Sequence, residues 1–406
     1  MAIHFTPSTS SISDLTLHLK LAHQAGPEQT EIRTTFFPAE WHPQSGVQLT
    51  WPHAGTDWAP LLAEVDDCFV SIALEILAHG ELLLIVTPEP DRIKALLCER
   101  IPSRFLSHVR YFECPTNDTW ARDHAFLTLL TEAGPRLLDF QFNGWGNKFP
   151  AELDNQINQH LISALSSKGE NDEGLFHGTY ESHLDFVFEG GSIESDGKGT
   201  LLTTSECLLS PNRNPDLTRD QIEERLLRYF HADRVLWLDH GYLAGDDTDS
   251  HIDTLARFCP NNTIAYVQCT DSSDEHYDAL RAMETQLCSF RALGKLLAEV
   301  EDAPSATVPN ASASDFRLIP LPMPSPIYDP DDGHRLPATY ANFLVINGAV
   351  LMPTYGQPEN DEQARRQLQK AFPKYDIVPI DCRVLIRQHG SLHCSTMQYP
   401  IGVMIP

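Results

Sequence analysis

A cysteine near the C-terminal end of the chain follows a turn that contains glycine. The segment reads Gly390-Ser391-Leu392-His393-Cys394, and its flexible backbone could present the thiol as a nucleophile. A lone cysteine more often packs as a small apolar side chain. Cys394 therefore indicates catalysis only if other reactive side chains accompany it.

Three further segments combine a polar side chain with small or aromatic neighbours. They are Trp120-Ala121-Arg122-Asp123, Phe188-Glu189-Gly190-Gly191-Ser192-Ile193 and His251-Ile252-Asp253. The second resembles the cysteine segment locally, because Gly-Ser followed by an aliphatic residue occurs in both. Each segment also has a structural interpretation: Asp123 could form a surface ion pair, Glu189 could solvate a turn, and Trp120 could belong to the core.

These segments recur at loosely regular intervals. The separation is 66 residues from Asp123 to Glu189, 62 from Glu189 to His251, and 143, about twice 71, from His251 to Cys394. A repeated unit arranged around an axis would bring one polar group from each repeat to a common centre, with one position skipped. The Trp51-Pro52 segment, 72 residues before Asp123, would complete the ring with the C-terminal piece.

The segment from Asp246 to Asp253 allows three interpretations. Its five ligand-capable side chains within eight residues could bind a divalent metal, or they could form a solvated turn. In the third interpretation, which we favour, His251 and Asp253 point the same way from an extended segment into a catalytic cleft.

Short β-like and helix-like runs alternate along the chain and predict an α/β protein. One helix should follow Asp57 as N-cap and end at Gly80, and a capping box at Thr218 should open a second. Two more should begin near Ser273 and after Asn360. The predicted strands are Leu82–Thr87, Phe126–Leu130, Thr200–Thr204, Val235–Leu238, Thr263–Gln268, Phe343–Ile346 and Ile377–Ile380.

Two stretches do not fit this alternation. The first 30 residues are polar and without periodicity, so 1–30 is predicted to be an N-terminal extension of uncertain order and 31–406 a single catalytic domain. Residues 304–337 contain eight prolines, which predicts a long connection without regular structure that could act as a flap over the pocket.

Composition excludes several classes of protein. With 42% hydrophobic and 21% charged residues, the chain of 406 residues is not wholly disordered, and no apolar run is long enough to span a membrane. A net charge of −27 argues against nucleic acid or an anionic membrane as partner. Nine scattered cysteines and the lack of a signal-peptide pattern favour a reducing, cytoplasmic location.

Taken in order, these segments resemble agmatine deiminases of the guanidino-group-modifying superfamily, which also includes bacterial peptidylarginine deiminases. The resemblance implies a five-fold pseudosymmetric α/β propeller (pentein) built from ββαβ-type units. The segments that match the family are Phe37-Pro38-Ala39-Glu40-Trp41, Leu49-Thr50-Trp51-Pro52, Asn117-Asp118-Thr119-Trp120-Ala121-Arg122-Asp123, Glu189-Gly190-Gly191-Ser192, Leu201-Leu202-Thr203-Thr204, Asn212-Arg213-Asn214-Pro215, His251-Ile252-Asp253, Tyr340-Ala341-Asn342-Phe343 and His393-Cys394.

The resemblance also implies roles for individual residues. Cys394 matches the nucleophile, His251 the general acid/base and Glu189 its carboxylate partner, while Asp123 and Asp253 match the aspartates that hold the guanidinium. Trp120 matches a substrate-pocket tryptophan. Asp118 and the acidic run 246–249 are candidates for the amine end of the substrate.

The cysteine segment departs from the family pattern. Relatives with agmatine activity often read Gly-Gly-Gly-Asn-Ile-His-Cys, where this chain has Gln388-His389-Gly390-Ser391-Leu392-His393-Cys394. The nucleophile is retained, but the changed residues leave the identity of the substrate tail open.

The function expected from this resemblance is hydrolysis of agmatine to N-carbamoylputrescine and ammonia through a covalent thiouronium on Cys394, without metal or organic cofactor. The alternatives are a deiminase of free or peptidyl arginine, a metal-binding protein built on 246–253, and a non-catalytic guanidine-binding protein. The expected partner is a small cationic guanidine, and the sequence leaves open whether the chain forms a homo-oligomer.

Overall fold

Five small sheets built on one connection pattern organise the chain. The computed structural model describes residues 33–166, 174–292 and 315–406. The strands are β1 (Gln44–Thr50), β2 (Leu82–Thr87), β3 (Val109–Glu113), β4 (Leu127–Leu129), β5 (Arg136–Gln141), β6 (Thr179–Val187), β7 (Glu194–Ser195), β8 (Thr200–Thr204), β9 (Arg234–Leu238), β10 (Ala256–Cys259), β11 (Thr263–Gln268), β12 (Arg317–Pro322), β13 (Leu344–Ile346), β14 (Ala349–Thr354), β15 (Asp376–Asp381) and β16 (Thr396–Pro400).

The longer helices are α1 (Leu62–Ala78), α2 (Pro90–Arg100), α3 (Ile157–Ser166), α4 (Arg219–Phe230), α5 (Tyr277–Ser289) and α6 (Pro358–Ala371). Single helical turns lie between these elements. They are Ala59–Leu61, Ser103–His108, Ala121–His124, Gly144–Asn147, Asp154–Gln156, Gly190–Ser192, Ser205–Leu208, Ile252–Leu255 and Leu385–Gln388.

Each sheet contains an antiparallel pair followed by a parallel strand. β4 pairs antiparallel with β5, which pairs parallel with β6, and the same order holds for β7-β8-β9, β10-β11-β12 and β13-β14-β15. A parallel partner requires a crossover connection, and α3, α4, α5 and α6 lie in these crossovers. The predicted ββαβ repeat is confirmed.

The fifth sheet joins the two ends of the described chain. β1 pairs antiparallel with β16 and parallel with β2, and β2 pairs parallel with β3. The last strand thus supplies the antiparallel partner that the first repeat lacks, and this pairing confirms the expected ring closure. The arrangement is the predicted five-fold α/β propeller.

Helices cover the sheets and bury an apolar core. All six residues of β2 are buried, as expected for a strand covered on both faces. In α1 the buried residues include Val65, Phe69, Ile72 and Ile76, whose spacing of three and four places them on one side of the helix. This layering leaves the connections between sheets to form the site.

Several predicted boundaries are correct. β2, β8 and β11 begin and end where the sequence predicted. The capping box is confirmed: Gln221 N–H donates to Thr218 Oγ1 at 3.3 Å, and Thr218 N–H donates to Gln221 Oε1 at 2.9 Å. These elements are determined by local signals.

Three helix starts differ from the prediction. Asp57 caps no helix, because a separate turn with Pro60 in its first positions precedes α1. The helix predicted near Ser273 begins at Tyr277, and α6 begins at Pro358 rather than after Asn360. Proline is favoured in the first turn of a helix, where its missing N–H has no partner to lose.

The prediction that 304–337 lacks regular structure is wrong for its central part. β12 pairs parallel with β11 and contains Pro320 and Pro322. β12 is an edge strand, and the two prolines alternate with residues whose N–H groups face β11, so neither removes a ladder hydrogen bond. Residues 304–314 lie outside the described residues.

Residues Thr34–Pro406 form one compact unit. The predicted extension at 1–30 lies outside the described residues, and the assignment of 31–406 as a catalytic domain stays a prediction. Among the residues that the structure describes, none of the helices has the length and apolar character needed to cross a bilayer.

Candidate active site

The five connections that lead from one sheet to the next all carry a polar side chain to the same centre. Four of them hold residues predicted from the sequence, and the fifth fills the position that the spacing skipped. In chain order they carry Asp123 before β4, Glu189 before β7, His251 and Asp253 before β10, Asn342 before β13, and Cys394 before β16. Asn342 lies in a segment of the family resemblance but had no predicted role. The gap of 143 residues between His251 and Cys394 was the signal for it.

Gly191 marks the point where three of these side chains meet. A Cβ on Gly191 would lie 2.6 Å from His251 Nδ1, 2.8 Å from Asp123 Oδ1 and 3.1 Å from Asp253 Oδ2. Any side chain here would displace one of the three, so glycine is required for the backbone to approach them. Asp253 lies in a helical turn directly after His251, so the predicted extended segment is wrong although both side chains face the centre.

Cys394 is buried beside an amide and a carboxylate. Its Sγ lies 3.3 Å from Asn342 Nδ2 and 3.9 Å from Asp253 Oδ2. Burial and the negative charges of Asp253 and Asp123 raise the pKa of the thiol well above its usual value. The site therefore favours the neutral thiol until a positive charge enters it.

His251 is fully buried between two carboxylates. Its Nδ1 lies 3.7 Å from Asp123 Oδ1, and its Nε2 lies 3.5 Å from Glu189 Oε2. Burial lowers the pKa of His251, but Asp123 opposes this most strongly, and with Cys207 and Glu189 it raises that pKa well above the usual value.

Arg213 holds Glu189 in place. Its Nε lies 3.0 and 2.8 Å from the two carboxylate oxygens of Glu189, and both side chains are fully buried. Burial raises the pKa of Glu189, but the charge of Arg213 reverses this, and the net pKa lies below the usual value. Arg213 lies in a segment that supported the family resemblance, yet spacing alone gave it no role.

The two aspartates differ in their surroundings. Asp123 accepts hydrogen bonds from Gly191 N–H at 2.8 Å and Trp145 Nε1 at 2.9 Å, and burial raises its pKa. Asp253 Oδ2 accepts from His393 Nδ1 at 2.8 Å. Burial would raise the pKa of Asp253, but the His393 bond and charge bring it below the usual value.

One oxygen of Asp253 stands out because it lacks a donor. Asp253 Oδ1 is buried and accepts no hydrogen bond within the described residues. Leaving a buried carboxylate oxygen unpaired costs about 1–3 kcal/mol or more. Such an oxygen is suited to receive N–H groups from a bound cation.

A buried ionic network lies next to Asp253. His393 Nε2 is 2.8 Å from Glu40 Oε2, and Arg257 bonds both Glu40 and Glu194. Burial of Glu40 is outweighed by the charges of Arg257 and His393, which hold its pKa well below the usual value. This network, for which the sequence predicted no function, fixes the His393 ring against Asp253.

A pocket leads from Cys394 to the surface. It encloses about 610 Å³ of empty space, including its open mouth, and it is lined by Asp57, Asp118, Trp120, Asp123, Trp145, Phe149, Asp247, Thr248, Gln388, His389, Gly390 and Cys394. A Cβ on Gly390 would lie 2.3 Å from the Trp120 ring, so the ring packs directly on this backbone. The structure brings Trp120 and Asp118 into the same pocket as Cys394.

Asp118 accepts from two indole groups at the edge of this pocket. Trp58 Nε1 donates at 2.9 Å and Trp120 Nε1 at 3.1 Å. Burial raises the pKa of Asp118 to about 6, although these bonds act in the opposite direction. The carboxylate is thus charged at neutral pH and available to a cation in the pocket.

Within the described residues, the side chains of 246–253 do not gather around one point, as the metal site that the sequence allowed would require. Asp246 accepts bonds from Thr248 and Ser250 in its own turn. Asp249 bonds Lys148 and Arg213, and Asp247 instead lines the pocket. Because the three carboxylates are held apart, they do not converge on one ion within the described residues.

Among the residues that the structure describes, two other groups of buried acids with histidine or cysteine lie close enough to share an ion. They are Glu189 with Cys207 and His251, and Glu40 with Glu194 and His393. An arginine already bonds an acid in each group. A fixed guanidinium beside the carboxylate opposes a second cation there.

The proposed flap contributes no lining residue from its described part, 315–337. One of its residues reaches the mouth: the His334 ring stacks on the His389 ring with centroids 4.9 Å apart. Gating by 304–337 stays a prediction.

The chain matches a family model along most of its length. The model describes Porphyromonas-type peptidyl-arginine deiminases and covers residues 36–400. A curated protein from Marinomonas sp. strain MWYL1, named "Putative agmatine deiminase", is 31% identical over 384 residues, or 89% of this chain and 94% of that protein.

Two solved structures are similar over the same extent. One, titled "Putative Arginine Deiminase" from Porphyromonas gingivalis, is 48% identical with a TM-score of 0.80, covering 91% of this chain and 100% of that one. The other, C. jejuni agmatine deiminase with substrate bound, is 35% identical with a TM-score of 0.76, covering 92% and 99%. From its sequence match, its fold and these relatives, the chain belongs to the family of Porphyromonas-type peptidyl-arginine deiminases.

Proposed function

We propose that this protein is an agmatine deiminase, which hydrolyses agmatine to N-carbamoylputrescine and ammonia through a covalent intermediate on Cys394. The observation that carries the proposal is the pairing of Cys394 with Asp253. One oxygen of this carboxylate lies 3.9 Å from the thiol, and the other is buried without a donor. A planar guanidinium supplies N–H donors for that oxygen and an electrophilic carbon for the sulfur.

Binding of the cation prepares the nucleophile. The positive charge offsets the effect of Asp253 and Asp123 on the thiol and lowers its pKa, so the thiol proton leaves to solvent. The thiolate then bonds to the guanidinium carbon and gives a tetrahedral adduct. Asp253 and Asp123 hold the remaining N–H groups in position.

His251 manages the protons of both steps. Its raised pKa keeps it protonated, so it can donate a proton to one amino group, which departs as ammonia and leaves a thiouronium on Cys394. The neutral imidazole then accepts a proton from water as the oxygen bonds to the same carbon. Collapse to the carbonyl releases the second water proton and expels the thiolate. General acid/base assistance of this kind typically accelerates a reaction by about 10²–10⁴-fold.

The charge at the mouth favours agmatine over the rival substrates. Asp57, Asp118 and Asp247 line the pocket, and a negative mouth attracts the second cation of agmatine. Free arginine would need a cationic partner for its carboxylate, yet no lysine or arginine is among the described residues that line this pocket. A cytoplasmic location remains part of the proposal, supported by nine free cysteines.

The test compares ammonia release from agmatine, free arginine and an arginyl peptide under equal conditions. We expect agmatine to give the largest kcat/KM. Mass spectrometry of enzyme quenched during turnover should show a substrate adduct on Cys394. The adduct should be absent in Cys394→Ala and present in Cys98→Ser, a control that removes an exposed cysteine outside the pocket. Turnover of the arginine substrates alone would reject the specificity, and full activity of Cys394→Ala would reject the mechanism.

A further inference from the structure

A histidine at the pocket mouth is held against one of the mouth carboxylates. His389 Nδ1 lies 2.7 Å from the Gly245 carbonyl oxygen and 3.1 Å from Asp247 Oδ2. Both neighbours are acceptors only, so Nδ1 carries the proton in either charge state of the ring. Gain or loss of charge therefore takes place at Nε2 and changes the net charge beside Asp247 without breaking this contact.

The backbone at His389 has a conformation that few residues other than glycine adopt. His389 ends the turn Leu385–Gln388 in the left-handed region, with φ of 66°. A non-glycine side chain there is uncommon and costs about 1 kcal/mol or more. The contacts with Gly245, Asp247 and His334 offset this cost.

We propose that His389 determines whether the pocket prefers a cationic or an anionic substrate tail, acting through Asp247. This rests on the proposed function, because both tails belong to guanidine substrates of the same site. When His389 is neutral, the Asp247 carboxylate is available to an ammonium group. When His389 is protonated, its positive charge offsets that of Asp247 across the same contact, which disfavours an amine and favours a carboxylate.

Other charged groups surround this pair and enter the same balance. The ring of His334 stacks on His389 and bonds Asp332 on its other side.

The remaining neighbours come from three other segments. Arg387, in the turn before His389, is paired with Asp331 and Asp329. Lys148 donates to the Asp247 carbonyl at 2.6 Å. Asp57 and Asp118 line the same pocket, and ionisation of Asp118 near pH 6 also favours a cationic tail as pH rises.

The test uses two ligands that share the guanidinium and chain length and differ in the tail. Agmatine carries an amine, and 4-guanidinobutanoate carries a carboxylate. We would measure kcat/KM for agmatine and the constant for competition by 4-guanidinobutanoate between about pH 5 and 8, where histidines commonly change charge. The pH dependence of catalysis by Cys394 and His251 enters kcat/KM alone, but it is common to the wild type and the variants and so cancels when their ratios are compared.

The preference for agmatine should rise with pH in the wild type. In His389→Asn, which tolerates the left-handed backbone and cannot be protonated, the rise should be smaller by a factor on the order of five. The rise that remains in this variant is due to the ionisation of Asp118. His389→Gly, which removes the backbone strain, should behave in the same way.

His231 offers a matched control, because it is an exposed histidine that ends α4 in the same left-handed conformation, with φ of 48°. His231→Asn should reproduce the wild-type rise. An equal rise in wild type and His389→Asn would overturn the proposal while leaving the deiminase function intact. Absence of agmatine turnover by the wild type would instead reject the proposed function and this inference with it.

Discussion

The floor and the mouth of the pocket use carboxylates in different ways. Beneath the floor, which Asp123 and Cys394 line, Asp253 and Glu189 are fully buried and fixed by His393 and Arg213. At the mouth, the side chain of Asp247 is 40% exposed. A charge in a buried, preorganised setting interacts more strongly with its ligand than one facing water. The floor should therefore determine the chemistry, and the mouth should adjust which guanidine enters.

The sharpest test replaces one carboxylate from each region. Asp253→Asn should lower kcat/KM for agmatine by at least about 10³-fold, because it removes charge stabilisation next to Cys394. Asp247→Asn should lower it by less than about tenfold, since an exposed charge is screened. Steady-state kinetics would decide, and similar losses in both variants would remove the distinction between floor and mouth.

A second test concerns the support of the floor. Arg213→Met leaves Glu189 buried without its cation and should lower the free energy of unfolding by about 3–5 kcal/mol. Arg219→Met, which breaks an ion pair exposed by more than 40% on both sides, should lower it by less than about 1 kcal/mol. Urea denaturation measures the free energy of unfolding of both variants. An Arg213→Met protein as stable as the wild type would show that Arg213 is not needed to hold Glu189.

A third test concerns Asn342, which comes from the connection that the regular spacing of the candidate residues passed over. Asn342→Ala removes the amide next to the Cys394 sulfur and should lower kcat by about 10²-fold with a smaller change in KM. Circular dichroism should show an unchanged fold, because the backbone of the connection is retained. A change confined to KM would mean that Asn342 binds substrate and does not position the thiol.

The last test concerns Asp118 at the mouth, where a small effect that depends on pH is expected. Because the Asp118 carboxyl has a pKa of about 6, it is neutral below that pH and charged above it. KM for agmatine should therefore fall as pH rises through 6. Asp118→Asn should raise KM by about tenfold at pH 8 and change it little at pH 5. An equal effect at both values would show that the charge of Asp118 is not what binds the amine.

Much of the fold could be predicted because its signals are local. Strands such as β2 and β11 are short apolar runs bounded by turns, and α4 begins with a capping box. The prediction was wrong for β12, where the usual preference of proline for irregular structure conflicts with the observed strand pairing. Pro320 and Pro322 argued against a strand, yet β12 needs N–H donors on one side only.

The sequence by itself determined the repeat, and it indicated which reactive residues could take part: Cys394, His251, Glu189, Asp123 and Asp253 stand at nearly regular intervals and in familiar segments. Only the tertiary structure decided their partners. Asn342 meets Cys394 and His389 meets Asp247 because the ring arrangement brings separate connections together. Arg213 meets Glu189 within a single repeat, 24 residues along the chain. Such contacts depend on which side chains are buried and how far apart they lie in space. The spacing of residues along the chain gives no information on either.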